Sequence, residues 1–315
     1  MYSIIAYTCP LVLPRAQKRR KGSGTEEFDH IGQQNVKDVA GKTAFVTGGA
    51  SGMGLAMVRS FANAGMKVAV ADIEAEPLNA VVEEFEETNA SVIGLQVDVA
   101  DLESVTEGAA KTREAFGQIH VLVNNAGIVT GGTFAEAEPN DWRWTMNVNL
   151  DGVYNGLNAF LADMIAHGEG GHVVNTASLA GHIAVPNLGV YGTSKFAVVG
   201  LSETLRIELV EHGIGVSVLC PGVVNTNIFT AGRNRPSTLA AERETNFERA
   251  RTDSEIADNE VMRNIIEPDV VGDMVLHAIQ NDQFYIFTHP DFAPIVRART
   301  QEIENAFAYW TEYCG

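Results

Sequence analysis

Cysteine is scarce: Cys9, Cys220 and Cys314 are the only three in 315 residues, and they lie far apart. An odd count at such spacing excludes a disulfide framework and a thiolate metal site, so a reducing, cytoplasmic setting is expected. Positive charge is also short. Twenty-two lysines and arginines face 40 aspartates and glutamates, for a net charge of −18 and a pI near 4.8. A nucleic-acid partner would want a basic face, so none is expected, and the excess acid reads as a solubility feature. Apolar runs approaching the ~18 residues of a membrane span are missing, so no membrane partner is expected either. Residues 1–14 are moderately apolar but are broken by Thr8, Cys9, Pro10 and Pro14. The basic cluster Arg15, Lys18, Arg19, Arg20 and Lys21 follows them instead of preceding them. That order is wrong for a secretory signal, and residues 1–37 read as a disordered leader.

What is present is a rhythm. Short apolar runs occur at Thr43–Thr47, Lys67–Asp72, Val92–Val99, His120–Asn124, His172–Thr176, Gly215–Leu219 and Phe284–Phe287. Amphipathic segments of helical length separate them: Gly54–Asn63, Leu78–Thr88, Leu102–Phe116, Pro139–His167, Tyr191–His212 and Pro268–Asn281. Such alternation predicts an α/β fold, a Rossmann-type doubly wound parallel sheet of about seven strands with helices on both faces. One domain is expected over residues 38–290. Residues 227–266 interrupt the rhythm as a long polar connection with helical patches such as Leu239–Arg251, the mark of a substrate lid. Residues 291–315 read as a helical extension whose aromatic end (Phe307, Tyr309, Trp310) packs on the body or on a neighbouring subunit.

Chemistry concentrates after particular strands. Residues 47–54 read T-G-G-A-S-G-M-G between the first run and the first helix. Glycines there permit a tight turn and close backbone approach to a pyrophosphate, and the helix N-terminus offers free N–H groups. Plain turn chemistry is the alternative for such a loop taken alone. Asp72 ends the second run. A carboxylate there accepts hydrogen bonds from ribose hydroxyls and repels a 2′-phosphate, so NAD(H) is favoured over NADP(H). Tyr191 and Lys195, four apart, share a helix face, and Ser178 stands thirteen residues before the tyrosine. An ammonium near a phenol favours phenolate. Taken alone, a tyrosine and a lysine one turn apart occur on many helices.

The motifs together resemble the classical short-chain dehydrogenase/reductase family over roughly residues 38–290. The glycine loop is similar to the family's cofactor loop, Asp98-Val99 to its adenine contact, and Asn124-Asn125-Ala126-Gly127 to its N-N-A-G signature. Asn149, Ser178, Tyr191 and Lys195 stand at its catalytic positions, and Pro221-Gly222 with Thr226 matches its P-G-x-x-x-T motif. The resemblance implies cofactor binding by Gly48, Ser51, Gly52, Met53, Gly54, Asp72, Asp98, Val99, Asn125, Ala126, Gly127, Tyr191, Lys195, Pro221, Gly222, Val224 and Thr226. Tyr191 is then expected to exchange a proton with the substrate oxygen, its pKa lowered by Lys195 and the cofactor's positive ring. Ser178 then bonds that oxygen, Lys195 also holds the nicotinamide ribose, and Asn149 supports a water relay. No metal is implied. A homodimer or homotetramer built on the helices Pro139–His167 and Tyr191–His212 is expected, with Val153, Leu157, Phe160, Val198, Val199, Leu201 and Leu205 supplying apolar faces.

The substrate side is expected at Ser178, His182, Leu188, Tyr191 and Phe229, with Ile128, Val129, Thr130, Ile183, Val185, Pro186, Val223 and Ile228 nearby. That mostly apolar set suits a bulky hydrophobic or aromatic secondary alcohol or its ketone. Alternatives are a hydroxysteroid or 3-oxoacyl thioester, or NAD(H) binding without turnover. Arg233 and Arg235 read as solvated surface residues, with a substrate carboxylate as the other reading. His172 reads as structural.

Overall fold

The first apolar run, T-A-F-V-T, has no charged residue on either face. It becomes a central strand, β1 (Thr43–Thr47), buried on both sides. Its neighbours are β2 (Lys67–Asp72) and β4 (Val121–Asn124), both parallel to it. Beyond them lie β3 (Val92–Gln96), β5 (Gly171–Thr176), β6 (Ile214–Cys220) and β7 (Tyr285–Phe287). The seven strands pair in the order β3-β2-β1-β4-β5-β6-β7, all in parallel, so the doubly wound sheet is as expected. The computed structural model describes residues 36–88, 90–241 and 264–314. Almost all of the 1–37 leader and most of the Leu239–Arg251 patch fall outside them.

Period-two alternation divides the core in two. Ala44, Val46, Val68 and Val70 face a layer formed by α1 (Gly52–Asn63), α2 (Ala75–Glu86) and α7 (Pro268–Asn281). Phe45, Ala69 and Ala71 face the opposite layer of α3 (Leu102–Phe116), α5 (Gly152–His167) and α6 (Gly189–Leu209). Phe45 packs on Phe160 with ring centroids 4.6 Å apart and planes tilted by 45°, and both are fully buried. Full burial of a large apolar side chain contributes about 1.5–3 kcal/mol.

Three expectations need correction. The single helix Pro139–His167 is α4 (Pro139–Met146), a π-helical turn over Asn147–Asp151, and then α5. Apolar periodicity records which face is buried but not whether one hydrogen bond slips from i−4 to i−5. Second, Val153, Phe160, Val198, Val199 and Leu205 are buried in the core against the sheet, so they offer no outward face. Tyr154 (56% exposed) and Ile207 (75%) point outward instead. Third, of the two places expected for the aromatic end of the C-terminal helix, α8 (Ala293–Cys314), the described body is not one: Phe307, Tyr309, Trp310 and Tyr313 are all exposed, which leaves a neighbouring subunit.

The segment after β6 forms short 3-10 turns at Asn227–Asn234 and Ser237–Leu239. Val224 pairs with Ile266, and Ile266 N–H donates to Val223 O at 3.2 Å, so the two ends of this excursion are pinned together. Elsewhere His172 is wholly buried, with Nε2 2.8 Å from Ser217 Oγ and its pKa pushed down to about 4 by burial.

Candidate active site

The order of the sheet reverses direction between β1 and β4, and in such sheets the crevice lies beyond the carboxyl ends of the strands at that point. The loops that begin there carry the motifs. Gly48 and Gly52 have φ of +61° and +52°, conformations that favour glycine. At Gly54 a Cβ would lie 1.9 Å from Gly48 O, so no side chain fits beneath the loop. Helix α1 then starts with Ser51 making no side-chain cap and with no acid in its first turn. Its N-terminal N–H groups and dipole are thus left for an anion.

Side chains tie this loop to the rest of the sheet. Thr47 Oγ1 accepts from Asn125 N and Ala126 N at 2.9 and 3.0 Å. Asn125 Nδ2 donates to Thr47 O and Gly48 O. Asp72 accepts from Ala50 N at 2.9 Å and Glu74 N at 3.0 Å, which fixes its carboxylate at the end of β2. A cleft of about 400 Å³ runs above these strand ends, and every residue expected to hold the cofactor lines it. A glycine turn with no room for a Cβ at Gly54, an uncapped helix N-terminus and a fixed carboxylate fit a nicotinamide dinucleotide.

At the other end of the cleft stand Ser178, Tyr191 and Lys195, all lining it and all buried. Lys195 Nζ donates to Thr176 O at 2.9 Å and lies 5.7 Å from the Tyr191 ring centroid. Ser178 Oγ accepts from Ala180 N at 3.1 Å, while its own donation to Pro221 O is long, at 3.5 Å. The serine hydroxyl therefore retains a donor for another acceptor. Burial pushes the Lys195 ammonium down to about 8. Burial also raises the Tyr191 phenol, opposed by a hydrogen bond from Ser178. In the protein alone, desolvation of the phenolate outweighs the favourable contact, and the lowering expected with the cofactor's positive ring in place is a separate state.

Asn149 is not in the cleft. It sits fully buried behind it, in the π turn. Its Oδ1 accepts from Ile128 N at 2.8 Å, and its Nδ2 donates to Ile128 O at 2.9 Å and Ser194 Oγ at 3.1 Å. The side chain thus locks the loop after β4 to helix α6.

On the substrate side Leu188 and Phe229 line the cleft, as do Ile128, Val129, Ile183, Val185, Val223 and Ile228. His182 does not. Its Nε2 lies 3.2 Å from Cys220 Sγ and its ring packs against Phe287, 5.1 Å between centroids, so the pocket role expected for it has no support in the geometry. Thr130 is buried against Thr145, 2.8 Å between hydroxyls, and Pro186 is exposed outside the cleft. Both arginines are paired, and only Arg235 is withdrawn from solvent. Arg235 meets Asp141 at 2.7 Å with both side chains buried, and its guanidinium lies over Trp144. Arg233 lines the cleft and meets Glu74 at 2.7 Å, while Asn234 Nδ2 also bonds Glu74.

Several lining residues had no motif to mark them. Trp144 and Val148 come from α4 and the π turn, and Phe292 arrives from beyond β7. The pair Trp142 and Trp144 carried a partial signal, since residues two apart on a helix face different ways. Trp142 is 45% exposed and Trp144 is 3% exposed.

Comparison with known proteins agrees with the geometry. Residues 42–236 match the family model described as short chain dehydrogenase. A C alpha-dehydrogenase of Sphingobium sp. is 32% identical over 87% of this chain and 88% of its own length. The 3beta-hydroxysteroid dehydrogenase 2 of Eggerthella lenta is 38% identical over 63% of this chain and 76% of its own. A short chain dehydrogenase/reductase from Burkholderia phymatum, solved in complex with NAD, superimposes with a TM-score of 0.79 at 37% identity, covering 85% of this chain and 96% of that one. With its parallel sheet, glycine cradle and buried Ser178, Tyr191 and Lys195, the chain belongs to the short-chain dehydrogenase/reductase family.

Proposed function

We propose that the protein is an NAD-dependent oxidoreductase acting on a bulky hydrophobic or aromatic secondary alcohol or the matching ketone. The observation that carries the reading is that one cleft joins Asp72 and the glycine cradle at one end to Ser178, Tyr191 and Lys195 at the other. Bound nicotinamide would supply hydride acceptance from, or donation to, the carbinol carbon. The rest is proton handling and positioning. Tyr191 takes the proton from the substrate hydroxyl in oxidation and returns it to the carbonyl oxygen in reduction. Ser178, with its loosely held hydroxyl, donates to the same oxygen as charge grows on it. Lys195 gives the phenolate a neighbouring positive charge, in opposition to the upward push of burial. Asn149 holds the backbone at Ile128, and with it the floor of the site.

The cofactor preference rests on Asp72, fixed by two backbone N–H groups in the wall of the cleft. The substrate class rests on the walls: Trp144, Ile183, Leu188, Phe229, Leu239 and Phe292 are apolar or aromatic. A hydroxysteroid is a specific second reading, because one relative is a 3beta-hydroxysteroid dehydrogenase and an apolar-walled cleft suits a fused-ring alcohol. The described start of the 227–266 connection, through Asn227, Phe229 and Leu239, serves as the substrate-side cover of the cleft, and assembly uses the outward groove of α5 and α6 lined by Tyr154, Leu161 and Leu201.

The test is production of reduced cofactor by the purified protein with aryl secondary alcohols, aliphatic alcohols and hydroxysteroids, each with NAD⁺ and with NADP⁺. Turnover of an aryl alcohol with NAD⁺ favoured supports the reading. Turnover of hydroxysteroids alone moves the substrate to the second reading. No turnover of any alcohol or ketone, in either direction, overturns it.

A further inference from the structure

Helix α8 has a surface that the described residues leave bare. It runs for 22 residues, from Ala293 to Cys314, and none of them is buried. Near its start Arg299 lies over the Phe196 ring of α6 at 5.1 Å. Beyond that point Ile303 (43% exposed), Phe307 (73%), Trp310 (57%) and Tyr313 (74%) face solvent. Their spacing of four, three and three puts them on one helix face. Helical stability in proteins comes mostly from packing an apolar face, and this face has nothing to pack on among the described residues.

The pattern of charge indicates what covers it. Arg297 and Arg299 lie in the first third of the helix, and Glu302, Glu304 and Glu312 follow them. A parallel pair of such helices would set like charges side by side. An antiparallel pair brings Arg299 of each helix within a turn of Glu312 of the other, and it also opposes the two helix dipoles. The acidic flank of the aromatic stripe disfavours an anionic lipid surface or a nucleic acid. Area is sufficient as well. The four apolar side chains expose roughly 500 Å² at ~200 Å² for a large side chain, or about 1,000 Å² for two copies, the lower bound for a specific interface.

We propose that the Ile303–Tyr313 face of α8 packs antiparallel against the same face of a second copy of this chain, forming an interface separate from the groove of α5 and α6. With the crossing at Ala306 and Phe307, Ile303 lies against the partner's Trp310, and Arg299 lies beside the partner's Cys314.

Two measurements on the full chain test this. In sedimentation equilibrium the double variant Phe307→Glu/Trp310→Glu should have half the mass of the wild type at the same concentration, with an unchanged melting temperature for the body. An unchanged mass, or a wild type that sediments as a monomer, overturns the proposal. Orientation is read by mild oxidation with diamide. Arg299→Cys should yield a covalent dimer through Cys314, whereas wild type should not, since antiparallel packing holds the two Cys314 residues about 20 Å apart at ~1.5 Å per residue. A Cys314 disulfide in the wild type overturns the antiparallel arrangement. Deletion of residues 1–24 should leave the mass of the assembly unchanged apart from the residues removed; dissociation on that deletion assigns the surface to the basic leader and overturns the proposal.

Discussion

The two ends of the cleft are built differently. At the end proposed for the cofactor and proton transfer, five polar side chains are held by backbone groups: Thr47, Asp72, Asn125, Asn149 and Lys195 each bond main-chain atoms. At the substrate end the walls are short 3-10 turns and loop residues, tethered by a few polar pairs. Those tethers are Arg233 and Asn234 to Glu74, Arg235 to Asp141, and Asn140 Nδ2 to Ala240 O. Proton and hydride transfer need atoms fixed to fractions of an ångström, so their groups are over-determined. Substrate shape needs only an apolar wall of the right outline, which a tethered segment can supply and vary.

The largest effect that would break this contrast is at Tyr191. Replacing it by phenylalanine is expected to lower kcat by about 10²–10⁴-fold with NAD(H) affinity retained, as measured by steady-state kinetics and cofactor fluorescence titration. Retention of more than a tenth of wild-type kcat would remove Tyr191 from the mechanism. Next is the buried pair at the substrate end. Arg235→Ala strands Asp141, and loss of one partner of a buried pair costs about 3–5 kcal/mol. Denaturant unfolding should show that loss, and the surviving enzyme should have a raised KM with a smaller change in kcat. A stability unchanged from wild type would mean that the tether is dispensable.

At the cofactor end, Asp72→Ala should shrink the preference for NAD(H) over NADP(H) by roughly tenfold, about 1.4 kcal/mol of charge repulsion. Unchanged discrimination would place the selectivity elsewhere. The buried ammonium gives a pH test. The Lys195 pKa is pushed from 10.5 down to about 8, so between those values the unfolded chain binds more protons than the folded one. Stability contributed by this group therefore rises with pH across that window. Lys195→Met should flatten this rise in thermal melts from pH 8 to 10.5 relative to wild type; an identical slope would contradict it. The smallest effect belongs to the wall. Leu188→Ala should raise KM for a bulky substrate severalfold with kcat nearly unchanged, consistent with about 1–3 kcal/mol of apolar contact. A fall in kcat as large as that in kcat/KM would instead place Leu188 in the proton-transfer geometry.

The same division explains what could be read in advance. Strands β1 and β2 and helices α3 and α7 have the boundaries their periodicity predicts, because burial against the sheet imposes that periodicity. The glycine loop was legible because a turn closed to any Cβ leaves no other residue type for Gly54. Not legible was the π turn at Asn147–Asp151, where Asn149 bonds Ile128 across 21 positions. Nor did the pattern reveal that His182 turns to β7, since a loop histidine faces whichever side offers room and partners. Arg235 looked like surface charge because its partner Asp141 is 94 positions away.

The sequence by itself determined the parallel sheet and the residues proposed for the chemistry, because local periodicity and residue type are enough to specify strand ends, tight turns and titratable groups. Only the tertiary structure decided the pKa directions of Tyr191 and Lys195, the walls of the substrate end and the bareness of α8. Each of these depends on what distant segments bury or leave exposed, and burial is a property of the packed chain that no single stretch contains.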